Sequence, residues 1–415
     1  MLVVEDSPLY SAEFFATGDP WAYLRTLREN DPVSVHRRAD GYEFYALTRY
    51  DDVYSAYVDH TRLSSAYGTM IDGSYRPQKD SASGRMLIVA DQPAHTAIKK
   101  PIKSSGFNRT MVERIGATVR RNIRDALAQL SVGDRLDFST VVAPALPTGV
   151  LEVLFGIGPD DAAMLLEATR TMIGYRDGAY VGASPLDSLV DAQLEVLGFL
   201  DDLIEQRIRS GSAEDMIGFL ARCVVTGELP RDVAVLNGLN VAVGGNETTP
   251  HTASLTVDTI CREPGQWRTV ADGEVSCEVA TQEFLRWTST NSYVQRLTVA
   301  EATIGGHAIP ADSFVTLWNM SANRDAAVFE RPDEFLVDRP ANRQIAFGAG
   351  VHRCIGAPVA TLEIQTFVEE LAGWDKAFQV VAPPQRLHSN FMLGLTELQV
   401  EVVKARDLTA VAGTP

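Results

Sequence analysis

The chain has 415 residues, 45% of them hydrophobic, and a formal net charge of −17. That balance argues against nucleic acid as a partner, since no basic arm or nucleic-acid motif offsets it. Length alone would allow two or three domains, but Pro, Gly and Ser are scattered and no linker, repeat or low-complexity tract appears, so one domain over 1–415 is expected.

Four cysteines, Cys223, Cys261, Cys277 and Cys354, lie far apart and fit no zinc spacing. The opening MLVVEDSPLYSAEFF carries Glu5 and Asp6 and reads as neither a signal sequence nor a membrane anchor. With so few cysteines, a reducing cytoplasm is the expected location.

In chain order, Pro20 opens a helix with Trp21, Leu24 and Leu27 at helical spacing. VSVHRR and GYEFYALTRY read as a hairpin turning near Asp40 and Gly41. Residues 62–90, rich in Gly, Ser and Asp, read as a long surface loop, and such loops are often lids or binding loops. From Gln92 to Val112 there is no acidic residue, while Lys99, Lys100, Lys103 and Arg109 are basic. A solvated basic face is the plain reading of that run. Pro101 would remove a helical hydrogen bond, at about 3 kcal/mol, or kink the helix.

ERIGATVRRNIRDALAQL is an amphipathic helix. ALPTGVLEVLFGI, DDAAMLLEATRTMIGY and LVDAQLEVLGFLDDLIEQRIRSG read as three more, the last two joined by a polar, glycine-rich linker, GYRDGAYVGASPLDS. A long helix follows at about 231–262. From Val233 to Val257 its one formally charged residue is Glu247, so it should be buried. Asn237, Asn240, Asn246 and several glycines speak against a membrane span. Gly244 and Gly245 remove side chains, and Thr248 can bond the Gly244 carbonyl one turn back. Pro250 cannot donate to the Asn246 carbonyl, which deepens the break and leaves a ready water site. Asn240 lies one turn before Gly244 on the same face. With Val243 and Gly244 it is expected to line a pocket, and its amide points to a substrate with a hydrogen-bonding group.

Glu283 and Arg286 stand at i, i+3 on one side of a helix, a spacing that alone reads as a surface ion pair. The last informative stretch is Phe347–Ala357, FGAGVHRCIGA. Its cysteine, Cys354, sits among Gly348, Gly350 and Gly356, with His352 and Arg353 just before it. A thiolate there is a metal ligand or an activated nucleophile, because both need the deprotonated sulfur. The glycines let backbone N–H groups turn onto the sulfur, and the apolar helix that follows, Pro358 to Leu371, presents its positive end.

Phe347, Gly350, Cys354 and Gly356 together resemble the haem-ligand loop of the cytochrome P-450 superfamily. His352 resembles its soluble bacterial branch. The resemblance runs from about Pro20 to about Val400. It implies a mainly α fold with small β-sheets, with haem between the long helix and the helix after Cys354. Cys354 would be the iron ligand, a thiolate that pushes electron density toward O–O cleavage. Gly244–Thr249 resembles the oxygen-activating motif, which makes Glu247 and Thr248 the proton-delivering pair. His95, Lys99, Arg296 and His352 match positions that hold haem propionates, and Phe347, Gly348 and Gly356 shape the loop around the cofactor. Lys99 stands where Arg is usual and lacks its planar fork. Gln344 stands where a His is common.

Glu283, Arg286 and Arg339 match a structural brace for the cysteine loop. Ser292–Gln295, hence Ser292 and Val294, would face the substrate, as would Asn390 and Phe391 in the last hairpin turn. The loop 62–90 would cover the pocket, beneath a roof of two helices. Implied with this are haem b (iron protoporphyrin IX), O2 as co-substrate, a small-molecule substrate, and a separate ferredoxin with its ferredoxin reductase. The electron carrier would dock on Lys100, Lys103, Arg109 and Arg353. The expected protein is a cytoplasmic monomer, free of membrane and nucleic acid, in bacterial natural-product biosynthesis or small-molecule catabolism. Alternatives are another oxidation (epoxidation, aryl coupling, nitration), a catalytically silent recruiting module, and a cysteine-nucleophile hydrolase.

Overall fold

The computed structural model describes residues 1–71, 78–181, 184–211 and 214–410. Its axle is the helix Arg231–Arg262, whose bounds are those read from the sequence. At 1.5 Å per residue it runs about 48 Å, and most of it is buried, as its near lack of charge requires. Around it pack Ala145–Leu151, Pro159–Ile173, Pro185–Ser210, Cys277–Thr288 and Ala357–Ala372. The amphipathic helix Arg109–Ala128 turns Met111, Ile115, Val119, Ile123 and Leu127 inward, a four-residue stripe.

A six-stranded sheet forms the other half. Its order is Val3–Glu5, Val33–Arg37, Glu43–Leu47, Phe314–Leu317, Val294–Thr298, Leu63–Ser64. The predicted hairpin is its centre, with Val35 opposite Tyr45. Its turn is closed by the Gly41 amide donating to Arg38 (2.8 Å) at φ 87°, a left-handed conformation that favours glycine. The parallel pairing of Glu43–Leu47 with Phe314–Leu317 ties the N-terminal part to the strand that carries Arg296. The hydrophobic core follows this division: one large cluster lies among the helices and two smaller ones around the sheet.

Three expectations change. The segment 62–90 is not a free surface loop: Leu63, Ser64, Ser65 and Ala66 are buried at one end and Leu87, Val89 and Ala90 at the other. Asn237 of the long helix clamps the second end, donating to the Arg85 carbonyl and accepting from the Leu87 amide, both at 2.8 Å. Residues 72–77 of that loop lie outside the described residues. The linker between the roof helices is pinned, because Asp177 is buried and accepts from the His388 amide at 2.9 Å. Its residues 182 and 183 lie outside the described residues. The break expected at Gly244–Pro250 does not interrupt the long helix, which runs unbroken from Arg231 to Arg262 with Pro250 inside it, as Pro101 sits inside the helix Ala94–Gly106. The stretch Phe138–Gly156 has the length and composition of a membrane span, but 67% of it is buried in this fold.

Candidate active site

The cysteine loop is built by short-range hydrogen bonds and two left-handed glycines. The Cys354 amide donates to the Phe347 carbonyl (3.0 Å) and the Arg353 amide to Gly350 (3.2 Å). Gly348 and Gly350 have φ of 65° and 67°. A side chain at 350 would begin 2.5 Å from the Tyr57 carbonyl oxygen, so only glycine allows the loop to lie on the helix Tyr50–Val58. Cys354 is exposed and forms no disulfide. Desolvation by the surrounding protein raises its pKa. The backbone at Gly356 and Ala357, with Arg353 and Lys99, works against that rise.

Cationic and imidazole groups gather beside the loop. The His95 and His352 rings lie 4.3 Å apart. His352 Nε2 is 3.0 Å from Ser65 Oγ, and His95 Nδ1 is 3.3 Å from the Gln92 amide. Lys99 donates to the Val351 carbonyl, and Arg296 to the Gln295 carbonyl (2.7 Å). Neither Lys99 nor Arg296 has an ion pair among the described residues. Burial, helped by neighbouring positive charge, pushes His95 down to about 4 and His352 to about 2. Burial also lowers Lys99 and Arg296. Asp91 acts on His95 and Arg296, but its oxygens are held by the Ser64 hydroxyl and the Ser65 amide. Buried Arg296 and half-buried Lys99 without carboxylates are costly, so this donor set fits a dianionic group such as the two propionates of haem.

On the long helix the Thr248 hydroxyl donates to the Gly244 carbonyl at 3.2 Å, the back-bond its position predicts. Gly244 is exposed and Gly245 half-buried within an otherwise buried helix. A side-chain carbon at either would meet nothing within 4 Å, so the backbone there is open to a flat group. These features and the free sulfur fit an iron porphyrin. Glu247 is 1% exposed and accepts from Thr169 of the roof helix at 2.9 Å. Burial pushes it up to about 7, against the Thr169 bond and Arg170. At neutral pH it therefore holds a proton it can release.

Sequence reasoning missed a second buried carboxyl, Glu363. It stands on the helix Ala357–Ala372, accepts from Thr249 at 3.3 Å, and has one oxygen without a partner among the described residues. Burial pushes it up to about 8. The signal was available: it is the one charged residue between Pro358 and Val368.

The brace is closed. Arg286 and Glu283 are fully buried and joined by two 2.7 Å bonds. Arg339 reaches Glu283 at 3.0 Å and also the Glu334 and Arg331 carbonyls. Arg286 also donates to the carbonyl of Asn323, whose side-chain oxygen accepts from the Ile345 amide at the entry to the cysteine loop. Gln344 caps the Ala346 amide and touches Gln282.

The substrate-side expectations divide. Ser292 is fully buried, and its hydroxyl donates to the Asn390 and Phe391 carbonyls (2.5 and 2.9 Å). Asn390 donates to the Leu9 carbonyl at 3.0 Å. Gln295 accepts from Tyr42 at 2.5 Å. Ser292 and Asn390 are therefore joints between segments, whereas buried Gln295 keeps an amide nitrogen with no partner among the described residues. Phe391 is half-buried, edge-on to Tyr293 at 5.6 Å. Val294 is half-buried. Leu236, Asn240, Val243 and Gly244 form the less buried stripe of the long helix, at i, i+4, i+7 and i+8. Asn240 has no hydrogen-bond partner among the described residues. Of the four expected docking cations, Lys100, Lys103 and Arg353 are exposed without ion pairs among the described residues, whereas Arg109 pairs with Glu113 at 2.8 Å.

A thiol held in a glycine loop, two cations without ion pairs beside it among the described residues, and the uncrowded Gly244 and Gly245 of the long helix together suit a haem-thiolate site. The family profile described as Cytochrome P450 matches residues 278–387. Cytochrome P450 130 of Mycobacterium tuberculosis is 30% identical over 371 residues, 87% of this chain and 89% of its own. Cytochrome P450 NovI of Streptomyces niveus is 29% identical over 385 residues, covering 91% and 92%. The crystal structure of P450 OxyD, described as involved in the biosynthesis of vancomycin-type antibiotics, matches with a TM-score of 0.84 at 29% identity, over 95% of this chain and 98% of that one. The chain belongs to the cytochrome P450 family. It is a monooxygenase, an oxidoreductase of a family that uses haem iron and O2.

Proposed function

We propose that the protein binds haem b through Cys354 and inserts one oxygen atom from O2 into a small organic molecule in natural-product biosynthesis. The likeness to P450 OxyD supports the setting. The observation that carries the reading is the free Cys354 sulfur beside four groups suited to propionates, His95, Lys99, Arg296 and His352, of which the two cations lack carboxylate partners. When bound, haem supplies O2 binding and O–O cleavage. Phe347, Gly348 and Gly356 shape the loop that aims the sulfur. Glu247 releases a proton near neutral pH, where a general acid works best. Thr248, back-bonded to the Gly244 carbonyl, orients the water that carries it. Asn240 and Val243 face the substrate and hold its polar group. Lys100, Lys103 and Arg353 receive an acidic ferredoxin, itself reduced by a ferredoxin reductase.

Haem content tests this. The purified protein should be red, with one haem per chain, and Arg296→Glu should lose most of it. A colourless wild-type protein that takes up no haem would end the reading.

A further inference from the structure

Away from the cysteine loop, a cavity of 370 Å³ opens beside the end of the helix Arg109–Ala128, and its far wall reaches Pro159. That volume lies at the lower end of the range for small-molecule sites, about 300–1,000 Å³. None of its lining residues belongs to the haem or substrate groups described above. Ala126, Leu130, Val141 and Pro159 make its apolar wall, and Val141 is left 54% exposed.

The polar lining has spent its donors and kept its acceptors. The Asn122 amide nitrogen donates to Glu152 Oε1 at 3.1 Å, and the Asn122 oxygen accepts from Arg121 at 3.1 Å. Arg121 also reaches Glu152 Oε2 at 3.2 Å. The Thr148 hydroxyl gives its proton to the Pro144 carbonyl at 2.8 Å, so its oxygen can only accept. Asp125 is exposed and has no ion pair among the described residues. The guanidinium groups next to it are engaged elsewhere, Arg121 with Glu152 and Arg124 with Glu370 at 2.7 Å. Exposed Gln129 adds an amide that can give or take. With Glu152 offset by Arg121, the lining carries the Asp125 charge uncompensated. Glu152 also opens a π turn, Glu152–Gly156, after the helix Ala145–Leu151. Such turns are rare and are frequent at functional sites. The positive end of the helix that starts at Pro159 is offset by Asp160 and Asp161 of its own first turn.

We propose that this cavity binds an organic cation of the guanidinium class on a short apolar body. A guanidinium has five N–H donors and no acceptor, which matches a lining of acceptors. Asp125 takes the charge and two parallel N–H bonds. The Thr148 oxygen and the remaining lone pairs of Glu152 accept further N–H groups. Leu130, Val141 and Ala126 cover the apolar body. An anion would meet acceptors and a negative charge, and a neutral apolar molecule would desolvate Asp125 without pairing it.

Calorimetric titration of the haem-loaded protein with benzylguanidine tests this. At about 0.15 M salt, attraction to the net charge of −17 at large is screened. One equivalent should bind with the haem spectrum unchanged. Asp125→Asn, which alters the net charge by one, should weaken binding about tenfold, and Thr148→Val about threefold. Benzyltrimethylammonium carries the same charge and no N–H, and it should bind about tenfold more weakly than benzylguanidine. Val141→Lys sets an ammonium at the exposed rim and should block the site. No binding at millimolar benzylguanidine, equal binding of the two cations, or binding unaltered in Asp125→Asn overturns the proposal. A titration that shifts the haem spectrum and ignores Asp125→Asn puts the cation in the substrate pocket and overturns it as well.

Discussion

The brace and the Gly244–Pro250 stretch of the long helix both bury carboxyls, and they treat them in opposite ways. At the brace, both Glu283 oxygens are held by Arg286, Arg339, Asn342 and the Leu336 amide, and both guanidinium groups also cap carbonyls. At that stretch Glu247 has one hydroxyl partner, Glu363 on the neighbouring helix has an oxygen with none among the described residues, and both carboxyls are pushed toward or past neutrality. Full pairing fixes a charge and a shape. Partial pairing in a dry place makes protonation adjustable near pH 7. The cysteine loop hangs from the first kind of region, and the proton delivery we propose belongs to the second.

The largest expected effect comes from opening the brace. Arg286→Met should leave buried Glu283 with Arg339 as its one counter-charge and three carbonyls without their Arg286 donor, at about 3–5 kcal/mol. Urea denaturation should show that loss, and a shift under 1 kcal/mol would place the brace's contribution elsewhere.

Glu363→Gln should behave in the other direction. A carboxyl raised when folded makes the folded state hold the extra proton, so stability falls as pH rises from the ordinary carboxylate range through about 8. The variant should lack that fall and, relative to wild type, gain about 1–3 kcal/mol between pH 5 and pH 8. Parallel pH profiles for the two proteins would show that Glu363 is ionised in the fold.

Thr248→Ala should barely alter stability, since its bond is a helical back-bond. It should divert electrons from product to peroxide, and the two are counted in one assay. Unchanged coupling would remove Thr248 from proton delivery. The smallest effects lie at the surface. Reversing Lys100 and Lys103 together should slow reduction by ferredoxin at low salt, whereas Arg109→Glu should do so weakly because Glu113 already neutralises it.

What the sequence made legible was local. The bounds of the long helix, the Thr248 back-bond and the glycines of the cysteine loop all follow from spacing within one turn or one loop. The cysteine loop and the brace also drew on resemblance to a family. What it hid depended on distant partners. Ser292 and Asn390 are polar residues near the expected pocket, but they bond backbone at Phe391 and Leu9, across about a quarter of the chain and nearly its whole length. Nothing in their own neighbourhood tells a joint from a substrate contact. Asn237 was visible only as an interruption, and its three bonds to the 85–87 segment and to Val233 make it the clamp of the covering loop. Arg109 was legible as charge, and its neutralisation by Glu113 required the helix to start at Arg109.

The central claim is that the Cys354 sulfur is the iron ligand. The reduced, carbon-monoxide-bound protein should absorb near ~450 nm, the mark of thiolate-ligated haem, and Cys354→His should lose that band while still binding haem. A wild-type band near ~420 nm, or a ~450 nm band that survives Cys354→His, would contradict the account.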